Sequence, residues 1–146
     1  GYYSNRLANI DKRGGLSINN KNVKATNLFQ PSLELWAYII SMQDRNRAIL
    51  NFGKRDVHFD LGYPIPLAIY RKGKLIKKIH DTGIQFKIYK MSDQHAFLFY
   101  PNHLNIQIGD LIKFGITHPC VTIDKWDFFY MIDKKHTITE GLKTFF

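Results

Sequence analysis

The sequence predicts an all-β domain, a barrel or sandwich of about seven to nine strands. From Leu33 onward, short runs of aromatic and β-branched residues recur at the spacing of half-buried strands. Dense Gly, Pro, Asn and Asp residues separate these runs, and no long amphipathic helical pattern interrupts them. Of the 146 residues, 45% are hydrophobic, which is enough apolar material for one core. A single β-rich globule is therefore expected.

The amino-terminal stretch, residues 1–31, is rich in Asn, Lys and Gly and is expected to be an irregular junction before a β-domain at residues 32–146. The seven predicted strands of that domain are Leu33–Met42, Arg47–Phe52, Leu67–Tyr70, Phe86–Met91, Ala96–Tyr100, Leu111–Ile116 and Trp126–Ile132. The residues Lys72-Gly73-Lys74 have the composition of a tight hairpin turn. The tail, Ile138–Phe146, is expected to add a strand and one helical turn.

Three consecutive aromatic residues, Phe128 to Tyr130, lie in the last of the predicted strands. Because successive side chains of a strand point to opposite faces, three rings in a row predict a strand that is covered on both faces. We therefore assign these rings to the core, with one of them available for an interface with another domain.

The net charge is +9, from 21 Lys and Arg against 12 Asp and Glu. Such a balance suits an acidic partner, for example nucleic acid, a phosphorylated ligand or an anionic protein surface. The basic residues are scattered at predicted turns, however, which is typical of solvated loops. A nucleic-acid-binding β-module, with rings stacked on bases and cations along phosphates, is the alternative from another functional class.

Cysteine usage and hydropathy indicate the cellular compartment in which the protein is expected to work. Cys120 is the single cysteine, which excludes an internal disulfide and predicts a reducing, cytoplasmic location. No apolar run approaches the roughly 20 residues that span a bilayer, and no signal pattern opens the chain, so no membrane contact is expected. Gly1 is not an initiator methionine, and we expect a further segment upstream of it.

The segment FGITHPCVTIDKW, residues 114–126, contains His118 and Cys120 on either side of Pro119. Imidazole nitrogen and thiolate sulfur are ligands that zinc prefers, and alternate residues of an extended backbone point to the same side. Two protein ligands leave coordination positions open, as a catalytic metal site requires. On spacing alone the signal is poor, because His-x-Cys occurs by chance and a lone cysteine such as Cys120 is more often a small buried hydrophobe.

The segment THPCVTIDKW, residues 117–126, is very similar to the SHPCTTFDKW-like signature of bacterial D-serine deaminases and their amino-acid aldolase and racemase relatives. Further segments resemble this D-serine dehydratase-like family in the same order along the chain. They are LELWAYIISM at 33–42 (LEVWA in the family), GKRDVHFDLGYPIPL at 53–67 (GKRDVSFDAGLPVPL), MSDQHAFL at 91–98 (DQHAFL), IGDLIKFGI at 108–116 (VGDLVEFGI) and LKTFF at 142–146 (IRTFF). The resemblance covers nearly the whole chain from Leu33 onward.

The resemblance implies an alanine racemase-like enzyme, in which an amino-terminal (β/α)8 barrel holds pyridoxal phosphate on a lysine and the β-domain closes the active site. It implies that His118 and Cys120 bind zinc, as their counterparts do in the eukaryotic D-serine dehydratases of the family. The implied reaction is dehydration of a D-β-hydroxy amino acid, most directly D-serine, to pyruvate and ammonia. The D-threonine aldolase and amino-acid racemase branches are the alternatives.

The implied partners are the small-molecule substrate, the chain's own amino-terminal barrel and, in the full protein, a second subunit of a homodimer. No lysine of this chain matches the Schiff-base lysine, so the fragment alone is expected to be inactive. The junction also departs from the family, because GYYSNR at 1–6 stands where a Cys-Tyr-x-Thr-His-Asp stretch is usual.

Several further residues fall in the family-like segments. His95 is a candidate catalytic residue lining the site, or a turn histidine bonded to the backbone. Lys54, Arg55 and Asp56 either shape the site or a subunit contact, or form a surface turn with a local ion pair. Asp124 either accepts a hydrogen bond from a metal ligand or forms a turn. The other histidines show no metal-ligand spacing and are assigned to the surface: His58, His80, His103 and His136.

Overall fold

The computed structural model describes residues 16–18, 21–23, 32–79 and 85–145. In these ranges the chain forms eleven strands and one short helix. The strands are β1 (Leu16–Ile18), β2 (Lys21–Val23), β3 (Glu34–Asp44), β4 (Arg47–Leu50), β5 (Ile65–Arg71), β6 (Lys74–Lys78), β7 (Lys87–Met91), β8 (Ala96–Phe99), β9 (Leu111–Gly115), β10 (Phe128–Ile132) and β11 (Ile138–Lys143), and the helix α1 (Pro119–Ile123) lies between β9 and β10. The predicted all-β fold is confirmed.

Seven of the strands form one antiparallel sheet in the order β6-β5-β9-β3-β4-β8-β7. Strand β3 bends this sheet, because its first half pairs with β9 and its second half pairs with β4 across two register shifts. As a result β5, which lies next to one edge strand, contacts β7, which is the edge strand at the opposite side of the sheet. The edge strands β6 and β7 are not paired with each other in the described residues, so the sheet is curled but is not a closed barrel.

The core lies inside the curled sheet. Alternate residues of the central strands point inward, as the burial pattern of β3 and β9 shows. Phe114 of β9 is fully buried, and its ring lies 5.2 Å from that of Phe52. Val57 and Ile116, 0% and 1% exposed, extend this core under the two segments that leave the sheet beside each other. Those two segments are therefore anchored by apolar side chains.

The tight turn predicted at Lys72-Gly73-Lys74 is present. Arg71 pairs with Lys74 around a two-residue loop, and both loop residues, Lys72 and Gly73, have positive φ angles of 49° and 76°. Positive φ at both central positions is the type I′ hairpin, which matches the twist of the flanking strands. The turn leads into β6, an edge strand exposed along its whole length, which the hydrophobic pattern did not predict.

The assignment of Phe128 to Tyr130 to the core is wrong. Strand β10 pairs only with β11 among the described residues, and Phe128 and Tyr130 are 44% and 64% exposed. These two rings are not buried, so a run of rings in the sequence did not mean burial. In the tail, the predicted strand is present as β11, but Thr144 and Phe145 are not helical, and Phe146 lies outside the described residues.

Most of the predicted junction, residues 1–31, lies outside the described residues, apart from the short antiparallel pair of β1 and β2. The division into junction and β-domain stays a prediction. In the part of the chain that the structure describes, no helix has the length and apolarity that crossing a bilayer requires.

Candidate functional site

Two loops meet at one end of two neighbouring strands, where β5 begins and β9 ends. Ile65 pairs with Gly115, so the loop that precedes β5 and the segment that follows β9 leave the sheet side by side. We call them the GKRD loop, residues 53–64, and the HPC segment, residues 117–126. Both have sequences that resemble the dehydratase-like family.

Hydrogen bonds join the two loops along their length. The Thr117 hydroxyl donates to the carbonyl of Gly62, and the backbone N–H of His58 donates to the Thr122 hydroxyl at 3.2 Å. Thr122, which is buried, in turn donates to the carbonyl of His118 at 2.8 Å. One threonine therefore sets the positions of two histidine backbones that are far apart in sequence.

The start of the GKRD loop is a closed turn. The carboxylate of Asp56 accepts the N–H of Gly53 at 2.7 Å, and the carbonyl of Asp56 accepts the indole N–H of Trp126 at 2.6 Å. A Cβ at Gly53 would overlap the main chain of Asp93, so glycine is required by close approach at this position. Asp56 therefore holds the turn through these two hydrogen bonds. Among the described residues, Asp56 forms no ion pair with Lys54 or Arg55.

His95 lies in the turn on which the GKRD loop rests. The N–H groups of Lys54 and Arg55 donate to the carbonyls of Ser92 and Asp93, and Ser92 donates to the carbonyl of His95. The side chain of His95 is exposed. The structure therefore puts the family-like DQHAFL turn against the GKRD loop, and the catalytic role of His95 stays a prediction.

Three side chains converge where the GKRD loop meets the HPC segment. One carboxylate oxygen of Asp60 lies 2.8 Å from Nδ1 of His58 and 2.8 Å from Nδ1 of His118, and its other oxygen lies 2.9 Å from the latter. One possible ligand atom from each of the three residues lies within 4.8 Å of the other two. Imidazole nitrogens and a carboxylate oxygen at such separations can bind a single divalent metal ion.

The pKa of Asp60 is lowered from 3.8 to about 2, and the hydrogen bond from His118 is the largest cause. Desolvation opposes this shift, and the hydrogen bond from His58 and the charges of both rings contribute to it. Asp60 is therefore a carboxylate throughout the neutral range, able to orient both rings or to bind a cation.

This shift predicts a pH-dependent stabilisation by Asp60. Because the pKa is lower in the folded state, the carboxylate stabilises the fold above about pH 4, and the stabilisation is lost as the pH falls towards 2. We expect Asp60→Asn to lower the melting temperature at pH 6 and to leave it unchanged near pH 2. Thermal unfolding measured between pH 2 and pH 6 tests this expectation, with substitution of the exposed Asp124, Asp124→Asn, as the control. A melting difference that does not vary with pH would contradict the expectation.

The backbone of the HPC segment differs from the extended conformation predicted for His118 and Cys120. His118 is the N-cap of α1, with φ −136° and ψ 87°, and Pro119 begins the helix. Because residues two apart on a helix do not share a face, the alternation argument for a shared metal does not apply. Cys120 is exposed, and its thiol is outside the group of possible ligand atoms found among the described residues.

Two members of this cluster, His58 and Asp60, were not predicted from the sequence. His58 was assigned to the surface, but its side chain is 34% exposed and lies beside His118. The carboxylate that bonds His118 is Asp60, and Asp124 instead ends α1. The feature of the sequence that could have revealed both residues was the segment HFD, residues 58–60, within the family-like GKRD loop. His103 and His136 are exposed as assigned, and His80 lies outside the described residues.

Residues 32–132 match the family described as putative serine dehydratase domain. No curated protein matches the chain. The fold is similar to that of D-threonine aldolase from Filomicrobium marinum, with a TM-score of 0.57 and 22% identity over 75% of this chain and 27% of that one. It is also similar to D-threo-3-hydroxyaspartate dehydratase from Delftia sp. HT23, with a TM-score of 0.56 and 14% identity over 76% of this chain and 31% of that one. An Ala racemase-like protein from Idiomarina loihiensis is similar with a TM-score of 0.54 and 10% identity over 75% of this chain and 30% of that one.

At these identities the structural likeness shows the fold alone, and the chain spans less than a third of the length of each of these proteins. The family match is independent of that likeness and covers the GKRD loop, the HPC segment and the strands between them. Because it extends over more than half of the 146 residues, the chain belongs to the family of putative serine dehydratase domains.

Proposed function

We propose that the chain is the carboxy-terminal β-domain of a cytoplasmic D-amino-acid lyase that acts with pyridoxal phosphate and a metal ion, most directly a D-serine dehydratase. The observation that carries the proposal is the cluster of His58, Asp60 and His118, because it joins the GKRD loop to the HPC segment. Family membership supports the same reading. The aldolase and racemase branches of the family are the alternatives.

The cluster has a donor set that fits zinc or another divalent first-row metal. His118 would hold it, with Cys120 as the second ligand according to the resemblance, or with His58 and Asp60 according to the geometry. A metal ion bound there supplies Lewis acidity toward the substrate's β-hydroxyl oxygen, a poor leaving group.

Two solved variants of a similar dehydratase support a metal role for the HPC segment. D-threo-3-hydroxyaspartate dehydratase has been solved as a metal-free variant in which one cysteine is replaced by alanine. It has also been solved as a variant in which a histidine two positions before that cysteine is replaced by alanine. This spacing equals that of His118 and Cys120.

In the arrangement in which Cys120 is the second ligand, Asp60 acts as the orienting group. Its carboxylate accepts hydrogen bonds from Nδ1 of His118, which fixes the ring tautomer so that Nε2 carries the lone pair. Thr122 holds the backbone of both histidines, so the rings are positioned before any ligand arrives. His95 is proposed to line the same site from the turn that supports the GKRD loop.

Pyridoxal phosphate would supply the electron sink for the carbanion at Cα. We assign it to a barrel domain of a longer enzyme, because the chain spans only 27% and 31% of the aldolase and dehydratase structures that it resembles. No lysine of this chain matches the family's Schiff-base lysine. The barrel and a second subunit are the proposed protein partners.

The apolar surface of the β10–β11 hairpin is the proposed contact with the barrel. Tyr130 and Ile138 are 64% and 58% exposed, and Leu142 is 42% exposed, an unusual concentration for a free surface. We expect the isolated chain to bind an apolar fluorescent dye, and expect Tyr130→Ser with Leu142→Ser to reduce the signal. The exposed Tyr38→Ser on β3 is the control. A monodisperse chain that binds no dye would count against this contact.

Product identification tests the proposed reaction. The full-length enzyme is incubated with D-serine and with D-threonine, and the products are separated. We expect pyruvate and ammonia from D-serine. Glycine and acetaldehyde from D-threonine would indicate the aldolase branch, and L-isomers the racemase branch. An enzyme that gives none of these products would overturn the assignment to this chemistry.

One surface favours a second candidate function, binding of single-stranded nucleic acid. On the outer face of β4, β8 and β7, Lys90 lies 5.3 Å above the ring of Phe97, and that ring contacts Tyr89. Stacking rings beside cations suit this ligand class. The adjoining open groove is lined by Asn46, Arg47, Lys87, Tyr89 and Phe99. Affinity for single-stranded DNA that falls steeply with salt would support this candidate, and the absence of binding would exclude it.

A further inference from the structure

The loop at the tip of the β10–β11 hairpin has a fixed backbone. One carboxylate oxygen of Asp133 accepts the N–H of Lys135 at 2.7 Å and the N–H of Thr137 at 2.9 Å. The N–H of Asp133 donates to the carbonyl of Thr137, and the N–H of His136 donates to the carbonyl of Asp133, both at 3.0 Å. These bonds set the direction in which the side chain of His136 leaves the loop.

The backbone of His136 lies in the left-handed region, with φ 63°. Glycine and asparagine adopt this conformation at the lowest cost, because glycine has no Cβ and the short side chain of asparagine bonds locally. A larger residue keeps such a conformation where the contacts around it compensate for the strain. The contacts of the imidazole ring are therefore the feature that explains a histidine at this position.

The ring of His136 contacts two aromatic residues of the seven-stranded sheet. Trp36 of β3 alternates with the buried Leu35 and Ala37, so it lies on the outer face, and its ring is 4.9 Å from that of Tyr70 on β5. The His136 ring lies 4.9 Å from Trp36 at an interplanar angle of 72°, and 5.3 Å from Tyr70 at 86°. Both contacts have the favourable edge-to-face geometry. His136 thus brings the hairpin tip onto the sheet.

The indole of Trp36 is itself held in place on the sheet. Its N–H donates to the carboxylate of Glu34 at 3.1 Å, and the same carboxylate accepts a hydrogen bond from Lys113 at 2.9 Å. The Lys113 ammonium lies 5.7 Å from the centre of the Trp36 ring. A ring fixed in this way loses little conformational entropy when another ring packs against it, which strengthens the contact with His136.

The base of the hairpin is attached at a different place, the GKRD loop. The indole N–H of Trp126 donates to the carbonyl of Asp56 at 2.6 Å. Thr144, after β11, donates its hydroxyl to the carbonyl of Trp126 and its N–H to the carbonyl of Asp127 at 3.0 Å. The hairpin is therefore held at both ends, with its exposed apolar side chains between the two attachments.

We infer that His136 is a positioning residue, which docks the hairpin tip on Trp36 and Tyr70 and so holds the apolar surface of the hairpin in one orientation relative to the GKRD loop. The use of that orientation for contact with a barrel domain rests on the proposed function, whereas the docking does not. Without the His136 ring, the tip loses both aromatic contacts and the hairpin moves about its base.

Amide hydrogen exchange of β10 and β11 in the chain tests the docking. The wild type is compared with His136→Asn, which suits the left-handed backbone but has no ring, and with substitution of the exposed His103, His103→Asn, as the matched control. We expect His136→Asn to accelerate exchange in the hairpin about tenfold and the control to stay within about twofold. Exchange in β3 and β9 should not change.

A double-substitution cycle shows whether His136 acts through the sheet. In a chain that already carries Trp36→Leu, we expect His136→Asn to accelerate hairpin exchange by less than about threefold, because the contact between the two rings is already lost. A residue that only shapes the turn would have its full effect in both backgrounds. Urea unfolding shows whether each variant is folded, and Tyr70→Leu replaces Trp36→Leu if the latter unfolds the chain.

The outcomes separate the inference from the proposed function. Hairpin exchange that is unchanged in His136→Asn, or accelerated equally with and without Trp36, overturns the inference. The barrel contact is tested by the same measurement on the full-length enzyme, in which a covering domain slows exchange in β10 and β11. Exchange that is no slower there than in the chain overturns the barrel contact and leaves the role of His136 standing.

Discussion

Replacement of His118 by alanine is expected to weaken zinc binding by the chain about 100-fold or more. His118 is the residue on which the resemblance and the geometry agree, and both oxygens of Asp60 lie within 2.9 Å of its Nδ1. Removal of this ring takes away the proposed ligand and also leaves the Asp60 carboxylate without its main hydrogen-bond donor. Chelator competition with Zn²⁺ measures the loss.

His103→Ala is the control for this prediction, because it removes an exposed histidine from outside the cluster. The Thr122 hydroxyl binds the carbonyl of residue 118, and this backbone contact does not depend on the His118 ring. The variant should therefore remain folded. Zinc affinity of a folded His118→Ala chain within a factor of about ten of the wild type would contradict the proposed site.

Replacement of Asp110 by alanine is expected to lower the free energy of unfolding by about 3 kcal/mol. Asp110 is 1% exposed, and its carboxylate accepts two hydrogen bonds from Arg71, at 2.7 and 2.9 Å, and one from the N–H of Gln107 at 2.9 Å. The substitution removes all three and leaves the Gln107 N–H without this acceptor. Urea unfolding of the two proteins measures the difference.

Asp44→Ala is the matched control, because Asp44 also pairs with an arginine, Arg47, but both side chains are more than half exposed. Such pairs contribute about 0–1 kcal/mol, so its loss should be small. Equal effects of the two substitutions would contradict the account of the buried pair. Asp110 directly precedes β9, the strand that leads into the HPC segment, so this pair also supports the site.

The strands were predictable because the seven-stranded sheet has one buried and one solvated face. Alternation along β3 and β9 reports that contrast directly, and the hairpin turn before β6 is recognisable from its glycine. The exposure of Phe128 and Tyr130 was not predictable, because it depends on what covers the hairpin and not on the hairpin's own sequence. A run of aromatic residues indicates apolar surface but does not show whether another element covers that surface.

The site could be predicted only in part from the sequence. His118 stood out through its residue type and its family-like segment, but the spacing to Cys120 suggested an extended strand where the chain forms α1. The partners of His118 come from a loop 58 residues earlier in the chain, and no local spacing encodes such a meeting. His58 could have been found only as a histidine at a position where the resembling segment has serine.

The most direct test asks whether the full-length enzyme needs the metal ion proposed for the His118 site. The rate of pyruvate release from D-serine is measured before and after a chelator removes bound metal. We expect the rate to fall to background without metal and to return when zinc is restored, because the ion proposed for the His118 site would assist departure of the β-hydroxyl. Pyruvate release that continues at the same rate in the metal-free enzyme would contradict it.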